Sequence, residues 1–509
     1  MRIRTLFLLA ALMVPLLPAL SQAQETGEGQ ANVERSARDG VLKLLPADSV
    51  TEHALTIGGR TIAYTATAGT LDLFGQDGAQ TGAIFYTAYV AKDGGRDRPL
   101  TFAFNGGPGA ASAFLHLGLV GPKVLDFGPQ GRDGANAKLV DNAQSWLDFT
   151  DLVLIDPIGT GWSRTVKADN ASNYYSVDAD AQSIAKAIAL YIAHNNRSNS
   201  PKYLLGESYG GFRAAKVASA LQGSQGIIVA GAVMLSPLLE GQLMFNADQF
   251  ALGAALELPS LAAAKLDRDN AFDEEKQREA ETFALGDYLT TLAGPPPTGA
   301  EADAFYGRIS RLTGIPQDIV ARNRGFLGNS FVKHSDAGSG EVMSSYDASF
   351  AAPDPYPESD YDRGDDAILD GFTRAYGGAF ADYARNELGF KTEMTYSLLD
   401  SDISRRWEWG GGRGGSRFQA SATDDVRQLL ASNTAFHLLI AHGYSDVVTP
   451  YSVSRYVVDH LPPSLAGGRV GLKLYRGGHM FYTQADQRAA FTADAKAFYA
   501  ARPLAQPAD

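Results

Sequence analysis

The order of apolar runs along this chain predicts an α/β fold: a mostly parallel central sheet, helices on both of its faces, and a large, mainly helical insertion. Three observations carry that prediction. Runs that are apolar throughout recur at residues 100–104, 152–155, 203–205 and 227–235, and each stops at glycines or polar residues. A strand buried on both faces reads in this way. Helical stretches at 179–193 and 212–221 lie between these runs, and strand alternating with helix is the mark of a parallel sheet covered on both sides. The alternation stops near Glu240 and resumes at 437–441 and 470–475, so the chain leaves the sheet and later returns to it.

Taken in order, residues 1–23 have the pattern of a signal peptide. Arg2 and Arg4 precede an apolar run over 6–20, and Ser21-Gln22-Ala23 offers small residues for cleavage. The run is short for a membrane span and is interrupted by Pro15 and Pro18, so cleavage and export to the periplasm or medium are expected. Residues 24–48 are polar and glycine-rich, expected as a flexible arm. Segments 54–74 and 81–90 alternate in polarity and read as antiparallel strands. The core is therefore expected in two parts, 49–239 and 431–509, around an insertion (cap) over 240–430.

Composition narrows the function. With 57 acidic against 44 basic side chains the net charge is −13, a poor match for nucleic acid or anionic membranes. Of the 509 residues none is cysteine, which excludes disulfides, thiolate catalysis and Cys-ligated metal. There is no HExxH-type pair either, and no metal or other cofactor is expected.

Gly206-Glu207-Ser208-Tyr209-Gly210 follows one apolar run and opens a helical one. Glycines two residues before and after a serine allow the sharp strand-to-helix turn that lifts its hydroxyl above a sheet, at the positive end of the helix. Ser208 is thus the candidate nucleophile of an α/β-hydrolase fold. In that fold an acid and then a histidine follow the serine in the chain. Of eight histidines, His53, His116 and His194 precede Ser208, His334 lies in the insertion and His437 within an apolar strand. Among His442, His460 and His479, His479 is preferred because it stands in a glycine-rich loop directly after a strand. Asp446, again just past a strand, is the candidate acid that would hold its tautomer. Asn105-Gly106-Gly107-Pro108-Gly109 follows the strand at 100–104. Such a loop supplies one backbone N–H of an oxyanion hole, assigned to Gly107, and the N–H of Tyr209 supplies the second.

These blocks, with Asp156-Pro157-Ile158-Gly159-Thr160-Gly161-Trp162-Ser163, resemble the signature segments of the serine carboxypeptidases (peptidase family S10), as do 442–450 and Gly478-His479. The resemblance spans 100–239 and 437–501 and does not reach the insertion. It implies release of a C-terminal residue from a peptide through an acyl-enzyme, with Asn105 and Glu207 hydrogen-bonding the substrate's free carboxylate. A glutamic acid must keep its proton to donate to a carboxylate, which implies a preference for acidic pH. The sequence departs from the family at Ala103, where a tryptophan is usual, at Ala110-Ala111-Ser112, where Cys-Ser-Ser is usual, and at Leu119, where a glutamate is usual. The last removes a carboxyl partner for Glu207. An esterase or acyltransferase with the same triad is the alternative, and Asn105 with Glu207 is the feature such an enzyme does not need. A non-catalytic module would have lost a triad member, and all three are present. The insertion is expected to lie over the strand ends and shape the pocket, with its aromatic, acidic stretch 346–361 either lining that pocket or facing solvent.

Overall fold

The computed structural model describes residues 38–335, 340–410 and 415–501. The leader and the first part of the arm lie outside the described residues. The end of the arm is not loose: Gly40–Leu44 forms a 3-10 turn whose Leu42 is fully buried in the core. Apolar side chains at 42 and 45 pin this stretch down.

Three antiparallel strands, β1 (Ser49–Ile57), β2 (Arg60–Phe74) and β3 (Gln80–Ala91), form one end of the sheet. The expected single strand over 54–74 is broken at Gly58-Gly59, whose φ values of 56° and 81° close a two-residue hairpin. Next come β4 (Leu100–Phe104), β5 (Asp151–Ile155), β6 (Lys202–Glu207), β7 (Gly231–Leu235), β8 (His437–Gly443) and β9 (Val470–Tyr475). The spatial order is β1-β2-β3-β5-β4-β6-β7-β8-β9, and every pairing from β5 to β9 is parallel.

Successive residues of the parallel strands feed opposite cores. Phe102, Leu204, Met234 and Ile440 enter one, while Ala103, Leu205, Val233 and Leu439 enter the other. The first is covered by α1 (Val177–His194) and α2 (Tyr209–Ala220), through side chains such as Ile184, Phe212 and Val217. In the insertion, α3 (Ala251–Arg268), α4 (Glu274–Phe283) and α5 (Gly299–Thr313) enclose a separate core that includes Leu258, Phe283 and Ile309. Two short strands, Glu341–Met343 and Ala351–Pro353, then flank a turn. Helix α6 (Ala375–Asn386) returns to the second face of the sheet, burying Tyr376, Phe380 and Tyr383 there. Helices α7 (Thr423–Ser432) and α8 (Tyr451–Asp459) pack on the first face, and α9 (Ala485–Ala500) on the second. The neck of the insertion is closed by Ala422 N–H to Leu239 O at 2.9 Å, Gly241 N–H to Ala420 O at 2.7 Å, and the Ser421 hydroxyl on Glu240 at 2.5 Å.

Candidate active site

The carboxyl ends of β4, β6, β8 and β9 bring the sequence-predicted residues to one edge of the sheet. Strand β6 ends at Glu207, and α2 begins at Tyr209 with Ser208 as its N-cap. Ser208 has φ 62° and ψ −127°, a backbone conformation rarely adopted by a side-chain-bearing residue. It is partly exposed, between the buried Glu207 and Tyr209. A Cβ at Gly206 would collide with the carbonyl oxygen of Gly210, so the turn can close only on glycine.

His479 follows β9, and Asp446 follows β8. The Nδ1 of His479 lies 2.9 Å from Asp446 Oδ2, both side chains being buried. Burial by itself disfavours the imidazolium, but the charge and hydrogen bond of Asp446, with Glu207 and Asp366 further off, outweigh it and raise the His479 pKa. Two residues not singled out from sequence complete this contact. Thr449 donates its N–H to Asp446 Oδ1 at 2.9 Å, and its hydroxyl lies 2.7 Å from Oδ2. The Ser236 hydroxyl donates to the His479 carbonyl at 3.0 Å. The other late histidines have other partners. His442 is buried with Nε2 2.8 Å from the Ser454 hydroxyl, and burial lowers its pKa to about 4. His460 stacks on Tyr456 at the surface.

The loop after β4 lies against the turn at Ser208. Gly107 is exposed and has φ 97°. A Cβ on Gly106 would stand 2.6 Å from the Tyr209 nitrogen, so only glycine leaves that N–H uncovered. A buried ion pair holds the loop: Arg213 on α2 donates to the Asn105 carbonyl and, at 2.6 Å, to Asp180 on α1. The Tyr209 ring is enclosed by the same guanidinium at 4.9 Å and by Trp407 and Trp409 at 5.3 and 5.5 Å. The tryptophan-rich segment of the insertion therefore packs behind the turn.

Asn105 and Glu207 meet. Asn105 Nδ2 donates to Glu207 Oε2 at 2.5 Å, while its Oδ1 accepts the Leu115 N–H at 3.0 Å. The second partner of Glu207 is the Tyr482 hydroxyl, a residue sequence reasoning missed. Burial pushes the Glu207 carboxyl up to about 7, against the opposing effects of His479, Tyr482 and Asn105. Asp156, which also follows a strand but precedes Ser208 in the chain, accepts from the N–H and hydroxyl of Ser112 at 2.8 and 2.7 Å and holds that loop. Among the described residues no cluster of three or more His, Cys, Asp or Glu could hold a metal ion, and no helix is long and apolar enough to cross a membrane.

Residues 65–235, which contain the loop after β4, the Asp156 segment and the Ser208 turn, match the family model of serine carboxypeptidases. Over 142 residues the chain is 29% identical to serine carboxypeptidase-like 41 of Arabidopsis thaliana, an alignment covering 27% of this chain and 28% of that protein. A second 142-residue alignment is 32% identical to the pheromone-processing carboxypeptidase KEX1 of Cryptococcus gattii, covering 27% of this chain and 20% of that one. The matched part spans less than a third of each of these curated relatives. In three dimensions the chain superimposes on the prohormone-processing carboxypeptidase KEX1(delta)P of Saccharomyces cerevisiae with a TM-score of 0.54 at 15% identity, covering 86% of this chain and 91% of that one. That likeness concerns the fold. Over residues 65–235, the segment that carries these motifs, the chain is thus similar to the serine carboxypeptidases, and its fold is that of an α/β-hydrolase.

Proposed function

We propose that the protein is an exported serine-type carboxypeptidase. Ser208 attacks the carbonyl of the last peptide bond, and His479 takes the serine proton and returns it to the departing amino acid. Asp446 holds the imidazole and stabilises the imidazolium. The oxyanion that forms is met by the N–H groups of Gly107 and Tyr209. Water, activated by His479, then hydrolyses the acyl-enzyme. The substrate's free carboxylate is received by the second Nδ2 hydrogen of Asn105 and by protonated Glu207.

The observation that carries this reading is the Asn105–Glu207 contact beside Ser208. A carboxyl group buried next to a nucleophile, and pushed up to about 7, holds its proton on the acidic side of neutrality, where it can donate to a carboxylate. Hydrolysis of a simple ester has no use for such a donor. The test is a paired assay across acidic to neutral pH, using an N-blocked dipeptide with a free C-terminus and the same dipeptide amidated. Release of the last residue from the free acid alone supports the proposal. Equal cleavage of the amide, or turnover confined to esters, overturns it.

A further inference from the structure

We propose that the turn at residues 344–349 of the insertion is a positioning element of the catalytic centre, with Asp347 and Ser445 as its key side chains. The proposal rests on the assignment of Ser208, Asp446 and His479 as the triad.

The turn is bonded to both loops that carry the acid and the base. On the histidine side, the N–H of His479 donates to the Tyr346 carbonyl at 2.5 Å, and the Tyr346 ring stands edge-on to the imidazole with centroids 5.1 Å apart. Gly478 is pressed so closely against the turn that a Cβ there would overlap the Tyr346 carbonyl oxygen and stand 2.5 Å from Asp347 Cα. On the aspartate side, Ala348 N–H donates to the Ser445 carbonyl at 3.0 Å, and Val447 N–H to the Ser345 carbonyl at 3.3 Å. The Ser445 hydroxyl donates to Asp347 Oδ1 at 2.6 Å. Asp446 is thus bracketed by two residues that are each bonded to the insertion.

The turn has its own support. Asp366 accepts the Ser344 hydroxyl and the Ser345 N–H, at 2.8 and 2.9 Å, and Asp347 also accepts the N–H and hydroxyl of Ser349. From the end of α3, Arg268 donates to the Ala348 carbonyl at 2.6 Å, while its neighbour Asp267 pairs with Arg476 at the start of the histidine loop. A side chain held by this many fixed groups has one place to be, and displacement of about 1 Å at a catalytic group costs on the order of 100-fold in rate. Residues 344–349 therefore fix the distance between Asp446 and His479 from outside the sheet.

The experiment uses the full chain and a phosphonofluoridate that labels an activated serine, with labelling rate followed against pH. Ser445→Ala and Asp347→Asn are expected to slow labelling about tenfold or more. They are also expected to move its acidic limb to lower pH, because a loosened Asp446 no longer raises the imidazole. Ser445→Thr, which keeps the hydroxyl, restores both rate and limb. Circular dichroism identifies variants that fold, and Ser445→Ala, a loss of one oxygen, decides the matter should Asp347→Asn not fold. Rates and limbs unchanged in folded Ser445→Ala overturn the inference alone, as does a slower rate with an unmoved limb that Ser445→Thr does not rescue. An unmodified chain that fails to label overturns the triad and this inference with it.

Discussion

The hydroxyl of Tyr482 lies 3.0 and 2.9 Å from the two carboxyl oxygens of Glu207, deep enough that the tyrosine is fully buried. Burial keeps the phenol's own pKa far above its ordinary value, so it remains a donor at every working pH. A donor of this kind stabilises the charged form of Glu207. Tyr482→Phe should therefore raise the Glu207 pKa by about one unit, the worth of one hydrogen bond to a charged group. On the proposed function, hydrolysis of free-acid peptides should need Glu207 protonated and should fall as pH climbs through that pKa, about 7 in the unaltered protein. In Tyr482→Phe this alkaline limb should move upward, while turnover of esters keeps its profile. The pH dependence of kcat/KM on the two substrates checks this, and Glu207→Gln should remove the alkaline limb on peptides while sparing esters.

Ser208→Ala, Asp446→Asn and His479→Gln should each lower turnover by about 10³ or more with the circular dichroism spectrum retained. The three should not add, since each removes the same relay. With His479 raised by Asp446 and needed in its neutral form, activity on any substrate should fall as pH drops through that raised value. Asp446→Asn at near-full activity would remove it from the triad.

Gly106→Ala places a methyl carbon 2.6 Å from the Tyr209 nitrogen. Either that N–H is masked or the loop withdraws, and both take a donor from the oxyanion. A loss of about 10²–10³ in kcat is expected, with a far smaller change in KM. Steady-state kinetics on an ester substrate measures both.

Arg213→Met leaves the Asp180 carboxylate buried without its cation and releases the Asn105 carbonyl. Breaking a buried pair from one side costs about 3–5 kcal/mol. Urea unfolding should show a loss of that size, and Arg213→Met with Asp180→Asn together should recover part of it. A midpoint unchanged in Arg213→Met would mean that the pair does not support the loop.

The parallel strands were legible because each is buried on both faces and therefore apolar throughout, and the turn at Ser208 because its glycines are required by backbone contact at Gly206. Asp446 and His479 could be named as candidates because each stands just past a strand end, and the structure brings their side chains within 2.9 Å of each other. Tyr482, Thr449 and Arg213 were not singled out, although each lies within five residues of a candidate that was. A tyrosine, a threonine or an arginine near a site is ordinary in composition, and only the fold shows where its polar atom ends. The hairpin at Gly58-Gly59 was overlooked since alternation runs on across it. Tyr346 is harder still. It stands 133 positions before His479 by number, in a segment whose acidic and aromatic residues gave no periodicity to follow.

The neck at Leu239–Gly241 and 420–422 joins β7 to β8, which lie side by side in the sheet. Entry and exit of the insertion are therefore neighbours, and a block of any length could hang from them without changing how the strands are ordered. By that logic a lineage could exchange the whole cap in one event and acquire new substrates. On the inference drawn for residues 344–349, what should restrain such exchange is local: a replacement would have to offer the loops at Asp446 and His479 an equivalent of the Tyr346 carbonyl and the Asp347 carboxyl. Grafted caps that keep residues 344–349 and their anchor Asp366 should then be the ones that leave the Asp446–His479 contact beneath them intact.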